Sequence, residues 1–546
     1  MKDTNASLLP QQPRRLPLLL LIFTAVFIFF FRLGERGFEN KDTIWYVEIA
    51  WEMLRSGDWI VPRFNTVIFT EKPILFIWTV AGLSRAAGAL TPLFSRLPSA
   101  LAALGCTFLA VALGGTLFNR RTGLLAGFIL CTAYAFAWEA RTCMVDMLFT
   151  FLVTLSLYFF YRGFSAGGTR RRLFVLAYLA TGLAALTKGP LGIIFPAIVS
   201  FIYLAVDRRL GFLRRMLIPW GIIIVIGMQA AWYVPYLARI GHEGRHFFYE
   251  MYVYKENLLR FTAGFDHYEP FWFYAPALLS HFLPWSPFLI LCLFPPRLPA
   301  GSGTAHGRRY PAVWLLSLLA FLTISSGKHS RYALPLYPAA ALLVADFWDR
   351  LMTVERHPLK MPVVVLVAVL AVAGAAGFPV FVYHAAPALF HVSLAASAIL
   401  LGLAFRMKRA PMPEKLPIAF IAIVFAFTCA WGACIVSLPA HDAGRAEHQR
   451  LADALAPAVR SDQLATYGPT HEKFGRRLAL GFFIGRPVIF IDRECELLDY
   501  LRAEGRVLCL METAVYEGAK ERLPQSVKAV GSFRYRDMDL VLLANH

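Results

Sequence analysis

The chain has 546 residues, of which 58% are hydrophobic and only 16% charged, against about a quarter charged in an ordinary soluble domain. A soluble multi-domain protein is excluded, because it would need many fully buried helices. The net charge of +19 would suggest nucleic acid in a soluble protein, but here Lys and Arg sit in short gaps between apolar runs, where they set membrane orientation, so nucleic-acid binding is excluded too.

In chain order, the first apolar run, 16–31, follows Arg14 and Arg15. No small-residue cleavage site comes after it, so a retained span is expected rather than a removed signal. Residues 34–93 read as a large first external loop. Within it, 43–55 has Ile44, Val47, Trp51 and Leu54 at helical spacing and reads as a surface helix. The segment 73–90 is apolar enough to pass for a span. Counting it as one would turn every later loop around and face the basic loops outward, so a helix lying in the external interface is expected.

The remaining runs make thirteen spans in all, at roughly 16–33, 94–118, 122–138, 143–162, 173–187, 190–206, 216–238, 271–295, 311–326, 332–349, 361–383, 386–405 and 416–437. With the N-terminus in the cytoplasm, the six cytoplasmic loops hold 20 Lys and Arg, against 8 in the short external gaps and the external loop 239–270. That is the bias of the positive-inside rule. An odd count leaves the C-terminus outside. Residues 438–546 alternate helix-like stretches (446–459, 496–504) with strand-like ones (464–467, 487–491, 507–511, 538–543), as in a small α/β domain. The expected architecture is a polytopic α-helical membrane domain, 1–437, followed by an external α/β domain, 438–546.

Cys106, Cys131, Cys143, Cys292, Cys429 and Cys434 lie in apolar runs and read as small buried side chains. Cys495 and Cys509 lie in the polar C-terminal region, where nothing further supports a disulfide. No Cys/His spacing of a metal site is present.

The ionisable residues gather on the external side. Asp42, Glu48, Glu71 and Lys72 lie in the first external loop, and Glu139, Arg141 and Asp146 border the external end of the fourth span. Lys188 and the run Lys328-His329-Ser330-Arg331 fill two further turns, and His267 and Glu269 close the loop before the eighth span. Any one of them reads equally as an interfacial anchor. Acids and bases together on one face point to a shared pocket. There, Lys72, Lys188, Arg260, Lys328 and Arg331 would stabilise an anionic leaving group such as the phosphate of a polyprenyl-phosphate sugar, which needs charge rather than a proton. A hydroxyl acceptor attacking the anomeric carbon wants a carboxylate base, while an ionised phosphate acceptor needs much less help. Asp42 leads as that base, with Glu71 and Asp146 next. The same carboxylates could bind a divalent metal, but carboxylates alone do not establish one. The aromatic residues Phe247, Phe248, Tyr249, Tyr252, Tyr254, Phe261 and Phe265 give loop 239–270 an interfacial character, either as a helix resting on the membrane or as a lid over lipid tail and sugar.

The stretch Asp42–Ala50, then Ser56-Gly57-Asp58-Trp59, Pro62-Arg63 and Glu71-Lys72-Pro73, resembles the first external loop of bacterial aminoarabinose transferases acting on lipid A, in a wider group that includes the protein O-mannosyltransferases. Further matches are Ala140-Arg141 with Asp146, Leu186-Thr187-Lys188-Gly189-Pro190, Pro284-Trp285, and Lys328 through Tyr332 followed by Pro335-Leu336-Tyr337-Pro338. The resemblance covers about residues 30–345 in motif form. It implies a GT-C glycosyltransferase of the bacterial inner membrane with a periplasmic active site. The donor would be a sugar on undecaprenyl phosphate, and the acceptor lipid A or another lipid or glycan. By position, it implies that Asp42 is the catalytic aspartate, that Lys72 holds the lipid phosphate, and that Glu71 and Asp146 are pocket acids. Arg141, Lys188, His267, Lys328, Arg331 and Tyr332 fall in family motif loops. The chain departs from the family at Thr43, where a Glu is usual, and at Trp45, where an Arg is usual.

Two other functions stand beside this one: a protein glycosyltransferase with Ser/Thr acceptors, and a transporter of lipid-linked sugar. A transporter would place polar residues at the midplane, with broken helices in symmetric halves. Few acids or bases lie mid-span here, and no inverted repeat is evident. A purely structural membrane protein leaves the charged face unexplained.

Overall fold

The computed structural model describes residues 15–35, 37, 41–259, 262, 269–293, 304–354, 357–437, 443–459, 462–468, 480–535 and 538–545; for Lys41 and Asp42 it describes the helical backbone alone. In hydrocarbon every backbone N–H and C=O must be satisfied within the chain, and the apolar runs accordingly fold as helices. In chain order they are α1 (Leu16–Phe30), α2 (Lys41–Ser56), α3 (Leu75–Ala87), α4 (Pro92–Leu117), α5 (Arg120–Cys131), α6 (Tyr134–Glu139), α7 (Val145–Ser165), α8 (Arg171–Lys188) and α9 (Leu191–Val206). The series continues with α10 (Ile218–Arg239), α11 (Gly241–Phe248), α12 (Tyr274–His281), α13 (Ser286–Leu293), α14 (Thr304–Ile324), α15 (Tyr337–Thr353), α16 (Lys360–Ala385), α17 (Phe390–Arg409) and α18 (Met412–Ser437).

Every expected span has a helical counterpart, but the count of thirteen is not reached by length and apolarity. Among the described residues, six helices meet that test outright, and the pair Phe271–His281 and Ser286–Cys292, bent by 120°, makes up to seven. One of the expected spans is broken locally. The expected span 122–138 is divided between α5 and α6, and the break is stitched to the bend between α12 and α13. Trp285 Nε1 donates to Thr132 Oγ1 at 2.9 Å, and Tyr134 N donates to Leu283 O at 2.8 Å. The two broken segments thus satisfy each other's freed polar groups.

The segment 73–90 holds a short apolar helix, not one long enough to be counted as a span by length. Helix α3 has 13 residues, roughly 20 Å at 1.5 Å per residue, against a hydrocarbon core of about 30 Å. Gly88, at φ 78°, ends it. Helix α3 buries Phe76, Ile77, Val80 and Ala81, and α2 buries Ile44, Val47, Ala50 and Met53, three residues apart along one face. Each of the larger of these side chains stabilises the fold by about 1.5–3 kcal/mol when fully buried, and each alanine by less. Between the two helices, β1 (Arg63–Phe64) and β2 (Val67–Ile68) pair antiparallel around Asn65 and Thr66, both at positive φ (49° and 67°). A two-residue turn of that hand suits a hairpin but strains a threonine. The Glu52 carboxylate offsets the strain by accepting from Thr66 N at 3.1 and 3.2 Å. With Trp232, Tyr236, Phe248 and Tyr252, these elements form a second hydrophobic core, a cap over one end of the helix bundle.

The C-terminal region is a five-stranded sheet in the order β4-β3-β5-β7-β6, with β3 (Gln463–Tyr467), β4 (Val488–Ile491), β5 (Val507–Glu512), β6 (Lys528–Tyr535) and β7 (Met538–Ala544). Pairing is parallel across β4, β3 and β5, and antiparallel across β5, β7 and β6. Four strands fall where alternation predicted them. The strand β6 was not anticipated, because its exposed Lys528 and Ser532, with Gly531 between them, leave little apolar pattern. Helices α19 (Ala443–Leu455) and α21 (Glu494–Leu501) match expectation, whereas the short α20 (Leu480–Ile484) and α22 (Thr513–Ala519) were not foreseen. Cys495 is exposed and Cys509 buried, and both are free.

Helix α20 joins this sheet to the cap. The Glu48 carboxylate on α2 accepts from Phe482 N at 2.8 Å, and Arg55 Nη1 donates to Gly485 O at 2.8 Å. Phe482 and Phe483 pack against the cap core. Gly481 permits the approach: a Cβ there would meet the Glu48 carboxylate, with Arg486 O at 2.9 Å and the Trp51 ring at 3.3 Å.

Candidate functional site

Two charged clusters meet under the cap. The first begins at Asp146, set in the opening turn of α7 by an extended Met144. Its partner is Lys188, the last residue of α8, and the two form an ion pair with side chains only 5% and 10% exposed. Neither charge could sit there alone, since an unpaired buried ion is far more costly than a paired one. The Lys188 ammonium also lies 4.2 Å from the centre of the Tyr332 ring and 5.4 Å from that of Phe149. Arg331 donates through Nε to His329 Nδ1 at 3.2 Å and approaches Met144 sulfur at 3.4 Å. The backbone N–H of His329 donates to the Tyr274 hydroxyl at 3.3 Å. Glu139, held by the Thr142 hydroxyl at 3.1 Å, lies within electrostatic reach of Arg331, Asp146 and Lys188. Three separate turns of the bundle thus deliver two carboxylates, two permanent cations and an imidazole to one place.

The second cluster centres on Lys72, just before α3. It forms an ion pair with Glu256, on the π-helical segment Tyr249–Leu259. π-Helical backbone is rare and is frequent at functional sites. The segment is tied down by the Tyr233 hydroxyl, which donates to Tyr252 Oη at 2.8 Å, and by Asn257 Nδ2, which donates to Tyr252 O at 2.6 Å. Burial pushes the Tyr252 phenol up, so it stays a neutral hydrogen-bonding group. The clusters touch at Gly189. Its φ is +75°, and a Cβ there would lie 2.5 Å from Tyr252 Oη and 3.6 Å from Asn257 Oδ1. Only glycine allows that crossing next to Lys188.

The residues singled out from the sequence divide accordingly. Asp146, Lys188, Arg331 and Tyr332 come together, Lys72 lies beside them, and Glu71 lines an adjoining cleft. Lys328 is buried and donates to Ser325 O at 2.6 Å within its own turn. Arg141 donates to the carbonyls of Ile28 and Phe29 at 3.1 Å and of Phe31 at 2.8 Å, satisfying the end of α1. Asp42 stands at the start of α2, with its side chain outside the described residues, and Arg260 and His267 lie outside them altogether. Among the described residues no group of three or more His, Cys, Asp or Glu could hold a metal ion. Sequence reasoning missed Glu256 and Asn257. Glu256 is 184 positions from Lys72, and a lone carboxylate in an aromatic loop carries no periodic or motif signal. Tyr274 was hidden in an apolar run.

Glu48 is a different kind of carboxylate. It is fully buried, and burial, with a smaller contribution from nearby Glu52, pushes it up to about 8, against the lowering effect of its bond from Phe482 N. It is therefore neutral near pH 7 and serves the joint rather than the charged clusters.

Comparison with known proteins agrees with this geometry. Residues 19–240 match the family described as dolichyl-phosphate-mannose-protein mannosyltransferase. The chain is 30% identical over 354 residues to undecaprenyl phosphate-alpha-4-amino-4-deoxy-L-arabinose arabinosyl transferase 2 of Pseudomonas fluorescens, covering 63% of this chain and 58% of that relative. It is 32% identical over 340 residues to the corresponding transferase of Pseudomonas aeruginosa, covering 60% and 58%. The matched part thus spans less than two thirds of these relatives' own length. Among solved structures, ArnT from Cupriavidus metallidurans bound to undecaprenyl phosphate aligns over 98% of both chains, with a TM-score of 0.74 at 20% identity. The Archaeoglobus fulgidus oligosaccharyltransferase aligns over 92% of this chain and 69% of its own, with a TM-score of 0.52 at 10% identity.

Proposed function

We propose that this multi-pass membrane protein of GT-C fold is a glycosyltransferase that moves a sugar from a polyprenyl-phosphate donor to an acceptor on the periplasmic side. The observation that carries the reading is the meeting of the Asp146–Lys188 and Lys72–Glu256 pairs under one cap. In the reaction, an acceptor oxygen attacks the anomeric carbon, the bond from that carbon to the phosphate oxygen breaks, and polyprenyl phosphate leaves with the electron pair. The leaving phosphate needs fixed positive charge in a site of low dielectric. Lys72 would hold it, exchanging Glu256 for phosphate, with Lys188 and Arg331 contributing at longer range. A hydroxyl acceptor would give its proton to a carboxylate. Asp42 takes that role by its place in the motif, with Glu71 and Asp146 as pocket acids. The charge bias of the loops supports a periplasmic position for the cap and the C-terminal α/β region, 438–546.

Similarity to the arabinosyl transferases favours undecaprenyl phosphate as carrier. The resemblance favours lipid A, or another lipid or glycan, as acceptor. The match over residues 19–240 supports a second reading, in which a protein hydroxyl is the acceptor.

Incubating purified protein with labelled undecaprenyl-phosphate sugars and a panel of lipid A, glycan and Ser/Thr peptide acceptors separates these. Transfer of label is expected with the wild type, and a loss of roughly a hundredfold or more with Lys72→Ala and with Asp42→Asn, while both variants still insert. Full activity in both variants would refute the site. Movement of the intact donor across a bilayer without transfer would make the protein a transporter.

A further inference from the structure

A cleft opens beside Lys72, with about 430 Å³ of empty space, part of it open solvent. Five aromatic rings line it: Phe64 and Phe69, which come from the hairpin region with Val67 and Ile68, and three more, each from a different part of the chain. Trp45 belongs to α2, Phe247 to α11, and Phe490 to β4, the edge strand of the C-terminal sheet. The polar wall is Asn65, Thr70 and Glu71. Thr70 is 4% exposed, and its Oγ1 has no hydrogen-bond partner, an arrangement that a binding site explains better than a fold does. Aromatic faces beside a few amide, hydroxyl and carboxylate groups suit one chemical class above others. A pyranose ring presents apolar C–H faces to the rings and equatorial hydroxyls to the polar groups. Fatty acyl chains have no use for Asn65 and Glu71, and a free phosphate has none for a lining with five aromatic rings.

We propose that this cleft is a pyranose-binding subsite that holds the donor's sugar, and that the C-terminal α/β region supplies one of its walls through Phe490. The inference rests on the proposed function. The step from cleft to donor rests on adjacency: Glu71 lines the cleft, and the next residue, Lys72, is the cation assigned to the phosphate. A sugar and its phosphate are one bond apart, as the two sites are one residue apart. The role of the C-terminal region follows from the same placement, because removing Phe490 opens one wall without touching the membrane helices.

The test compares binding of two ligands to the purified full-length protein: undecaprenyl phosphate bearing its sugar, and bare undecaprenyl phosphate. Trp45→Ala and Phe490→Ala should each weaken the sugar-bearing donor by about tenfold, the loss of one stacking contact, and leave bare undecaprenyl phosphate within about twofold of wild type. Trp45→Phe and Phe490→Tyr keep a ring and should restore most of the affinity, which separates loss of stacking from loss of fold. Thr70→Val, nearly isosteric, should show the same selectivity with a smaller effect. Equal weakening of both ligands, or no weakening, overturns the subsite. A raised KM for the acceptor's sugar with unchanged donor affinity also overturns it, because the ring held would be the acceptor's. Failure of the wild type to bind either ligand strikes instead at the proposed function, so the two failures are distinguishable.

Discussion

Asp146 and Glu48 are both buried carboxylates at the same end of the molecule, and they are managed in opposite ways. Asp146 has a cation, Lys188, drawn from a different helix, with Arg331 in reach. Among the described residues Glu48 pairs with no cation; it accepts from one backbone N–H, that of Phe482, and burial has made it a neutral acid. The difference separates two jobs. A carboxylate kept charged by a partner lies where charge will be used. One kept neutral by desolvation is a hydrogen-bonding peg, here between the cap and the C-terminal sheet. Burial alone would have marked both as functional.

The largest effect should come from breaking the charged pair. Lys188→Ala strands Asp146 in a buried site and should lower stability by about 3–5 kcal/mol, read as thermal unfolding in detergent. The double variant Asp146→Ala, Lys188→Ala should recover much of that loss while remaining inactive. Equal damage in single and double variants would mean that the pair does not compensate internally.

At the joint the effects should be smaller. Gly481→Ala drives a methyl group into the Glu48 carboxylate and Arg486 O, and overpacking of this kind costs about 1–3 kcal/mol. Hydrogen exchange and limited proteolysis should find residues 480–486 opened, with the membrane helices unchanged. The pH dependence has a definite sign. The Glu48 carboxyl is at about 8 in the folded protein against an ordinary 4.5, so between those values the folded state holds a proton that the unfolded state has lost. Stability of the joint should therefore fall as pH rises from about 4.5 to 8 and level off above. Glu48→Gln, which keeps an acceptor for Phe482 N, should flatten that slope. Smallest of all, Arg55→Ala removes one bond to Gly485 O and should cost about 1 kcal/mol or less.

The sequence made the fold largely legible where composition and period carry it. Apolar runs marked the bundle and the short helix within 73–90, and alternation marked four of the five C-terminal strands. The breaks at Thr132 and between Phe282 and Trp285 were not foreseen, because they are satisfied by each other across the fold and leave no local signature. For the site, motif position marked the turns that supply Asp146, Lys188, Arg331 and Lys72. It did not distinguish Arg141 and Lys328, which hold backbone carbonyls, from the cations that face carboxylates or the imidazole. Nor did it mark Glu256, whose meaning depends on a contact between distant segments.

Sidedness is the common premise of the charged clusters, the cleft and the joint, and one native residue reports it. Cys495 is the only one of the eight cysteines that is exposed, and its region is pegged to the cap through Glu48 and Arg55. A membrane-impermeant maleimide should label Cys495 in intact spheroplasts and spare it in sealed inverted vesicles. Labelling confined to the inverted vesicles would put the cap, with Lys72 and Lys188, on the cytoplasmic side and contradict a periplasmic transfer site.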